Sequence, residues 1–63
     1  MKITKQMTQS TILAALDTPL TRLRADSNLA HDQGYHDYSR VLADLAFHIE
    51  KARDEAILEL EDM

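Results

Sequence analysis

Two His-Asp dipeptides, His31-Asp32 and His36-Asp37, flank Gly34, the one glycine in the chain. Neutral imidazole and carboxylate are ligands for zinc, manganese or iron, and metal phosphohydrolases use such pairs. The spacing works against a shared ion here. Adjacent side chains on a helix point about 100° apart, a turn separates the two histidines, and the chain holds just one more histidine, His48. The favoured reading is a polar turn, with Asp37 in the first turn of the following helix, where its charge suits the dipole. Asp44 and His48, four residues apart, are a second pair able to share an ion or a hydrogen bond. Because they flank an apolar stripe, an ion pair or interhelical contact is the first reading for them. His31, His36, Asp44 and His48 are therefore weak metal candidates, and no cofactor is expected.

Other catalytic arrangements find less support. Carboxylates are plentiful, but an acid-base pair needs a desolvated cleft to separate its pKa values, and a few helices offer none. No phosphate-cradling glycine loop is possible with a single glycine, and no cysteine is present to act as nucleophile or thiolate ligand. The expectation is a protein that binds and does not catalyse.

The elements that must position these residues follow from size and punctuation. A chain of 63 residues makes one domain, and at this size only about 60% of the unfolded surface is buried on folding. Without disulfides, oligomerisation is the expected source of extra buried surface, so a homodimer is predicted. The net charge of −4 argues against a generic nucleic-acid binder. Charge is nevertheless split. Lys2, Lys5, Arg22 and Arg24 face only Asp17 up to Arg24, whereas Asp54, Glu55, Glu59, Glu61 and Asp62 crowd the end. Basic and acidic parts are expected to lie together, within or between chains. The apolar run Ile12 to Leu16 is too short for a signal-peptide core or a membrane span, which makes the cytoplasm the expected compartment.

Thr18-Pro19 reads as a helix start, with Asp17 or Thr18 as cap and proline at the first helical position. Gly34 reads as a helix end that uses the left-handed backbone conformation. The predicted elements are helices over about 8–16, 19–32 and 36–61, with a turn at about 33–35. In the last helix Tyr38, Leu42, Leu45, Ile49, Ala52 and Ala56 recur in steps of four and three, and Leu60 and Met63 continue after a slip of one. This leucine and alanine seam is the candidate core or dimer contact. Leu13, Leu16, Leu20, Leu23, Ser27 and Ala30 hold a similar stripe in phase across Pro19, so the first arm is either kinked or broken there. The predicted fold is an all-α antiparallel helical hairpin, expected to pair in a dimeric helical bundle.

The stretch "NLAHDQGYHDYSRVLADLAF" resembles one tetratricopeptide-type helix pair, with an alanine, then "QG" and a tyrosine, then the second helix. The resemblance covers about a third of the chain and implies the hairpin alone, since repeats of that kind need about three stacked copies and there is no second copy here. A dimer of helical hairpins also resembles, in architecture only, small plasmid-encoded RNA-binding regulators.

Opposite the seam, Phe47 and Leu58 lie about three turns apart on the back of the long helix, with Ala43 beside them. A monomeric hairpin would leave them in water. Tyr35 and Tyr38 gather at the hairpin tip near the two histidines, where they are able to stack on a partner or cover the end of the core. These five residues are the candidate partner-binding set. The function expected is that of a protein-protein interaction module, an inhibitor or adaptor that masks a larger protein, of a size common among phage and mobile-element regulators. The alternative is a nucleic-acid-associated dimer that uses the basic N-terminal helices of two protomers.

Overall fold

The computed structural model describes residues 2–63. It consists of two helices, α1 (Lys5–Asp32) and α2 (His36–Glu61), packed along each other as an antiparallel hairpin. Among the described residues there is no strand.

The first arm is one uninterrupted helix. Its start is Thr4, whose extended backbone (φ −110°, ψ 164°) lets the side-chain oxygen accept from the Met7 amide at 3.1 Å. That is the cap geometry expected of threonine, placed fourteen residues upstream of Thr18. Pro19 lies inside α1. Lacking an N–H, it leaves the Ala15 carbonyl without its usual helical donor, yet the helix continues on both sides. Of the two readings of the first arm, broken at Pro19 or carried through it, the structure has the second: the segments about 8–16 and 19–32 belong to one helix, and the apolar stripe stays in phase across the proline.

The turn is built by the backbone. Gln33 closes α1, Gly34 adopts φ 85°, its amide donates to the His31 carbonyl (3.0 Å), and the Tyr35 amide donates to the Ala30 carbonyl (2.8 Å). These two bonds are the Schellman pattern, and they need a residue at ease with positive φ at the second position. Asp37 falls in the first turn of α2.

The helices meet along two heptad-spaced rows. On α2 the inward row is Ser39, Leu42, Ala46, Ile49, Arg53, Ala56 and Leu60, each buried or half-buried. On α1 it is Ile12, Leu16, Leu20, Leu23, Ser27 and Ala30. Alternating steps of three and four keep each row turned toward its neighbour. Small residues dominate near the turn. There the Ser27 hydroxyl, 7% exposed, donates to the Ser39 carbonyl at 2.9 Å and lies 3.1 Å from the Ser39 hydroxyl. Arg53 is tolerated in the row because its stem covers apolar surface while its guanidinium reaches Asp54 at 3.0 Å.

This core is small. Leu20 and Ala46 are the only fully buried apolar residues among those described. The molecule measures 49 × 20 × 10 Å, so it is one helix thick. Its radius of gyration is 14.8 Å, against about 10.6 Å for a globular domain of this length. The accessible surface is 5074 Å², whereas a compact monomer of 7.2 kDa exposes about 4,120 Å². The excess of about 950 Å² slightly exceeds the roughly 800 Å² that each partner buries in a standard interface. Among the described residues no helix is long and apolar enough to cross a membrane.

Candidate functional site

A hairpin one helix thick has two broad faces, and the inward rows decide which residues each face carries. A side chain one position before an inward residue is rotated about 100° to one side, and one position after it about 100° to the other. Because both helices are right-handed and run antiparallel, the preceding residues of both arms share one face. The following residues share the opposite face.

The face of following residues holds a groove of about 310 Å³ lined by Arg24, Ser27, Asn28, Ala43, Ala46, Phe47 and Glu50. Its floor is made of the small side chains that let the helices approach. Phe47, 63% exposed, forms one wall, and an ion pair between Arg24 and Glu50 bridges the arms. The phenyl ring is held edge-on against His48, with ring centres 5.8 Å apart. Leu58 is exposed as well, about 16 Å farther along α2 by helical rise. An exposed aromatic ring thus stands beside a shallow floor of small side chains, next to a charge pair. Phe47 and Ala43 therefore line one groove, and Leu58, two positions from both Ala56 and Leu60, lies outside it on the back of α2.

Tyr35 and Tyr38 come together at the tip. Their rings are stacked, with centroids 5.5 Å apart at an interplanar angle of 13°, and both are exposed. They bound a second shallow depression with Gly34, His36 and Asp37. Tyr38 precedes Ser39 of the inward row and so belongs to the other broad face, away from Phe47.

The histidines at the turn also meet. His36 Nδ1 is 3.2 Å from His31 Nδ1, and the rings are edge-on with centroids 4.9 Å apart. Which nitrogen donates and which accepts is set by the tautomers of the two rings. The turn, expected to separate the two histidines, brings their rings together. Among the described residues, however, no three histidine or carboxylate groups converge on one point. His31 with His36 makes a pair, fewer ligands than a protein metal centre uses, and Asp44 and His48 stand about one helical turn apart on α2.

The seam read from the sequence divides in space. Leu42, Ile49, Ala56 and Leu60 are half-buried in the inward row, while Leu45 and Ala52 are exposed on the face of preceding residues, together with Tyr38. Leu13 is also exposed, and Ile12 takes the inward place beside it. Sequence reasoning missed the groove-forming partners Arg24, Asn28 and Glu50, and it missed Val41, 61% exposed. The signal that would have found them is the seven-residue spacing of Ser39, Ala46 and Arg53, which marks the inward direction but is invisible to a search for large apolar side chains.

Both arginines of α1 have acidic neighbours. Arg24 pairs with Glu50, and Arg22 pairs with Asp26 at 3.3 Å. The hairpin also brings Lys5, at the start of α1, to the same open end as Glu59 and Glu61 of α2.

Compared with protein-family models, curated proteins and solved structures, the chain matches none.

Proposed function

We propose that this chain is a protein-protein interaction module, a small inhibitor or adaptor that works as a homodimer and covers a surface on a larger protein. The single observation carrying this reading is the surface left uncovered, which includes the exposed side chains of Val41, Leu45, Phe47 and Leu58. A plate one helix thick with two fully buried apolar residues exposes about 950 Å² more than a compact monomer of its mass would. Phe47 is the anchor for the target, seated beside the Ala43 and Ala46 floor, with Leu58 extending the contact. A cytoplasmic location is part of the same proposal.

Binding in place of catalysis accords with the geometry. Both grooves are shallow and open to solvent, and no titratable group is enclosed among the described residues. A nucleic-acid role would rest on the basic residues of α1, and two of these, Arg22 and Arg24, are engaged by carboxylates. Each such pairing subtracts from the charge available to phosphate.

The test is affinity capture from the source cells with the native chain and with Phe47→Ser, followed by titration of the captured protein once purified. The expected outcome is a target whose Kd weakens at least about tenfold, or 1.4 kcal/mol, on losing the ring, with helicity unchanged. Equal binding by the two chains would remove Phe47 from the site. Retention on nucleic acid that falls steeply with salt would replace this reading with the alternative.

A further inference from the structure

The geometry points to a specific self-association: a second copy covers the face of Tyr38, Val41, Leu45 and Ala52, with the two α2 helices antiparallel and the hairpin tips at opposite ends. This rests on the homodimer reading above and adds the face, the symmetry and the pairing of residues.

The choice of face comes from charge. The Phe47 face carries Asp17, Arg24, Arg40, Glu50 and Asp54, each one position after an inward residue. The opposite face carries Tyr38, Val41 and Leu45 as exposed large side chains, with Ala52 on α2 and Ala15 and Pro19 on α1. Its charged members are Arg22 and Asp26 on α1, which pair with each other, and Glu55 and Glu59 on α2, which lie beyond His48 toward the open end, at the rim of the face. Interface centres are depleted of charge, so the second face is the one suited to burial against a copy.

The occupant is a second copy because the face is complementary to itself. Its bulk is graded along α2. Large side chains, Tyr38, Val41 and Leu45, lie toward the turn, and the small Ala52 and Ala56 lie toward the open end. A two-fold axis crossing α2 at the level of position 47 sets Tyr38 against Ala56 of the copy, Leu42 against Ala52, and Leu45 against Ile49. Large meets small at the first two of these pairs, where Leu42 and Ala56 contribute from the edge of the inward row, while Leu45 meets an Ile49 of similar size and Val41 stands level with Arg53. The hydrogen bond from Ser27 to Ser39 puts those two residues at one level. Eight residues farther along each arm, Pro19 is then level with Phe47, so the axis passes near both copies of Pro19 and Ala15 falls opposite Leu23. An isologous contact of this kind closes on itself as a four-helix bundle.

Opposed tips also separate the acidic ends. With tips at the same end, Glu59, Glu61 and Asp62 of both chains would crowd together. In the arrangement inferred, they stand at opposite ends of a rod about as long as one hairpin, 49 Å, several Debye lengths apart. The excess surface of about 950 Å² per chain matches what each partner of a stable dimer buries. Both Phe47 grooves then face outward on opposite sides, so the dimer presents two target sites.

The absence of native cysteine makes the test direct. Tyr38→Cys and Ala56→Cys chains are prepared separately and oxidised alone and as a mixture, with the mass of the unmodified chain measured by light scattering. The expected result is a mass of two chains and a disulfide that forms in the mixture but in neither variant alone. In the arrangement inferred, two copies of position 38 stand about 27 Å apart along the rod, and a disulfide needs Cβ atoms within about 4.5 Å. A Tyr38→Cys homodimer would overturn the antiparallel pairing while leaving the dimer. Self-cross-linking of Phe47→Cys would move the contact to the other face. A mass of one chain at millimolar concentration would overturn this inference and the homodimer reading together, and would leave the Phe47 target site to its own titration.

Discussion

Ser27 of α1 donates its hydroxyl to the backbone carbonyl of Ser39 on α2 across 2.9 Å, a direct hydrogen bond that joins the two arms near the turn, as the Arg24–Glu50 ion pair does farther along. The contact is possible because both side chains are small, and it fixes the register of the hairpin near its tip. Ser27→Ala is expected to lower stability by about 1 kcal/mol, the usual net value of such a bond. Ser27→Leu should cost more, about 1–3 kcal/mol, by forcing the helices apart. Urea unfolding of the two variants checks the order. A leucine variant as stable as the native chain would mean that close approach at this point is unimportant.

Gly34 closes the turn at φ 85°, and a Cβ placed there meets no atom within 4 Å. Substitution is therefore resisted by backbone conformation and not by crowding. Gly34→Ala should destabilise by about 1–2 kcal/mol, and Gly34→Asn by less, since asparagine tolerates the left-handed region. Thermal unfolding of the pair distinguishes a conformational penalty from a steric one, which would rank the larger asparagine worse.

Pro19 interrupts the hydrogen-bond ladder in the middle of a helix of 28 residues. Pro19→Ala restores a donor to the Ala15 carbonyl and should stabilise the hairpin by about 2 kcal/mol, somewhat less than the full helix-interior penalty because proline also stiffens the unfolded chain. If proline additionally lies at the two-fold axis, the variant gains helix stability without a matching gain in dimer affinity. Circular dichroism melting with a parallel measurement of self-association reads the two separately.

The His31–His36 contact and the Asp44, His48 pair each offer two ligands to an ion, too few for a tight site. Chelator treatment of the purified protein is expected to leave the unfolding midpoint unchanged, as are His31→Ala and His48→Ala in the presence of added zinc. A midpoint that drops on chelation would indicate that ligands from a second chain complete the site.

Much of the fold was legible in residue order. Gly34 marked the turn, and the long second arm was evident from leucine and alanine recurring at helical spacing. Pro19 misled in part, because a threonine-proline step is a good helix start in isolation, and continuity is decided by Leu16, Leu20 and Leu23 packing in phase on the other arm. The seam was legible only as an average. Tyr38, Leu45 and Ala52 lie beside the inward row, not in it, and the row itself includes Ser39 and Arg53, which no hydrophobic pattern selects. Two adjacent apolar rows on one helix merge into a single broad stripe when read without a partner helix. The exposure of Phe47 was legible because the residue falls outside the apolar stripe, whereas its place beside the inter-arm groove and the Arg24–Glu50 bridge depends on a register that local sequence does not encode.

The central claim is that the hairpin has too little core of its own and draws stability from a second copy. The most direct measurement is the thermal unfolding midpoint of the unmodified chain from micromolar to millimolar concentration. For a folded state stabilised by association the midpoint rises steadily with concentration. A cooperative transition at one fixed temperature across that range would contradict the account.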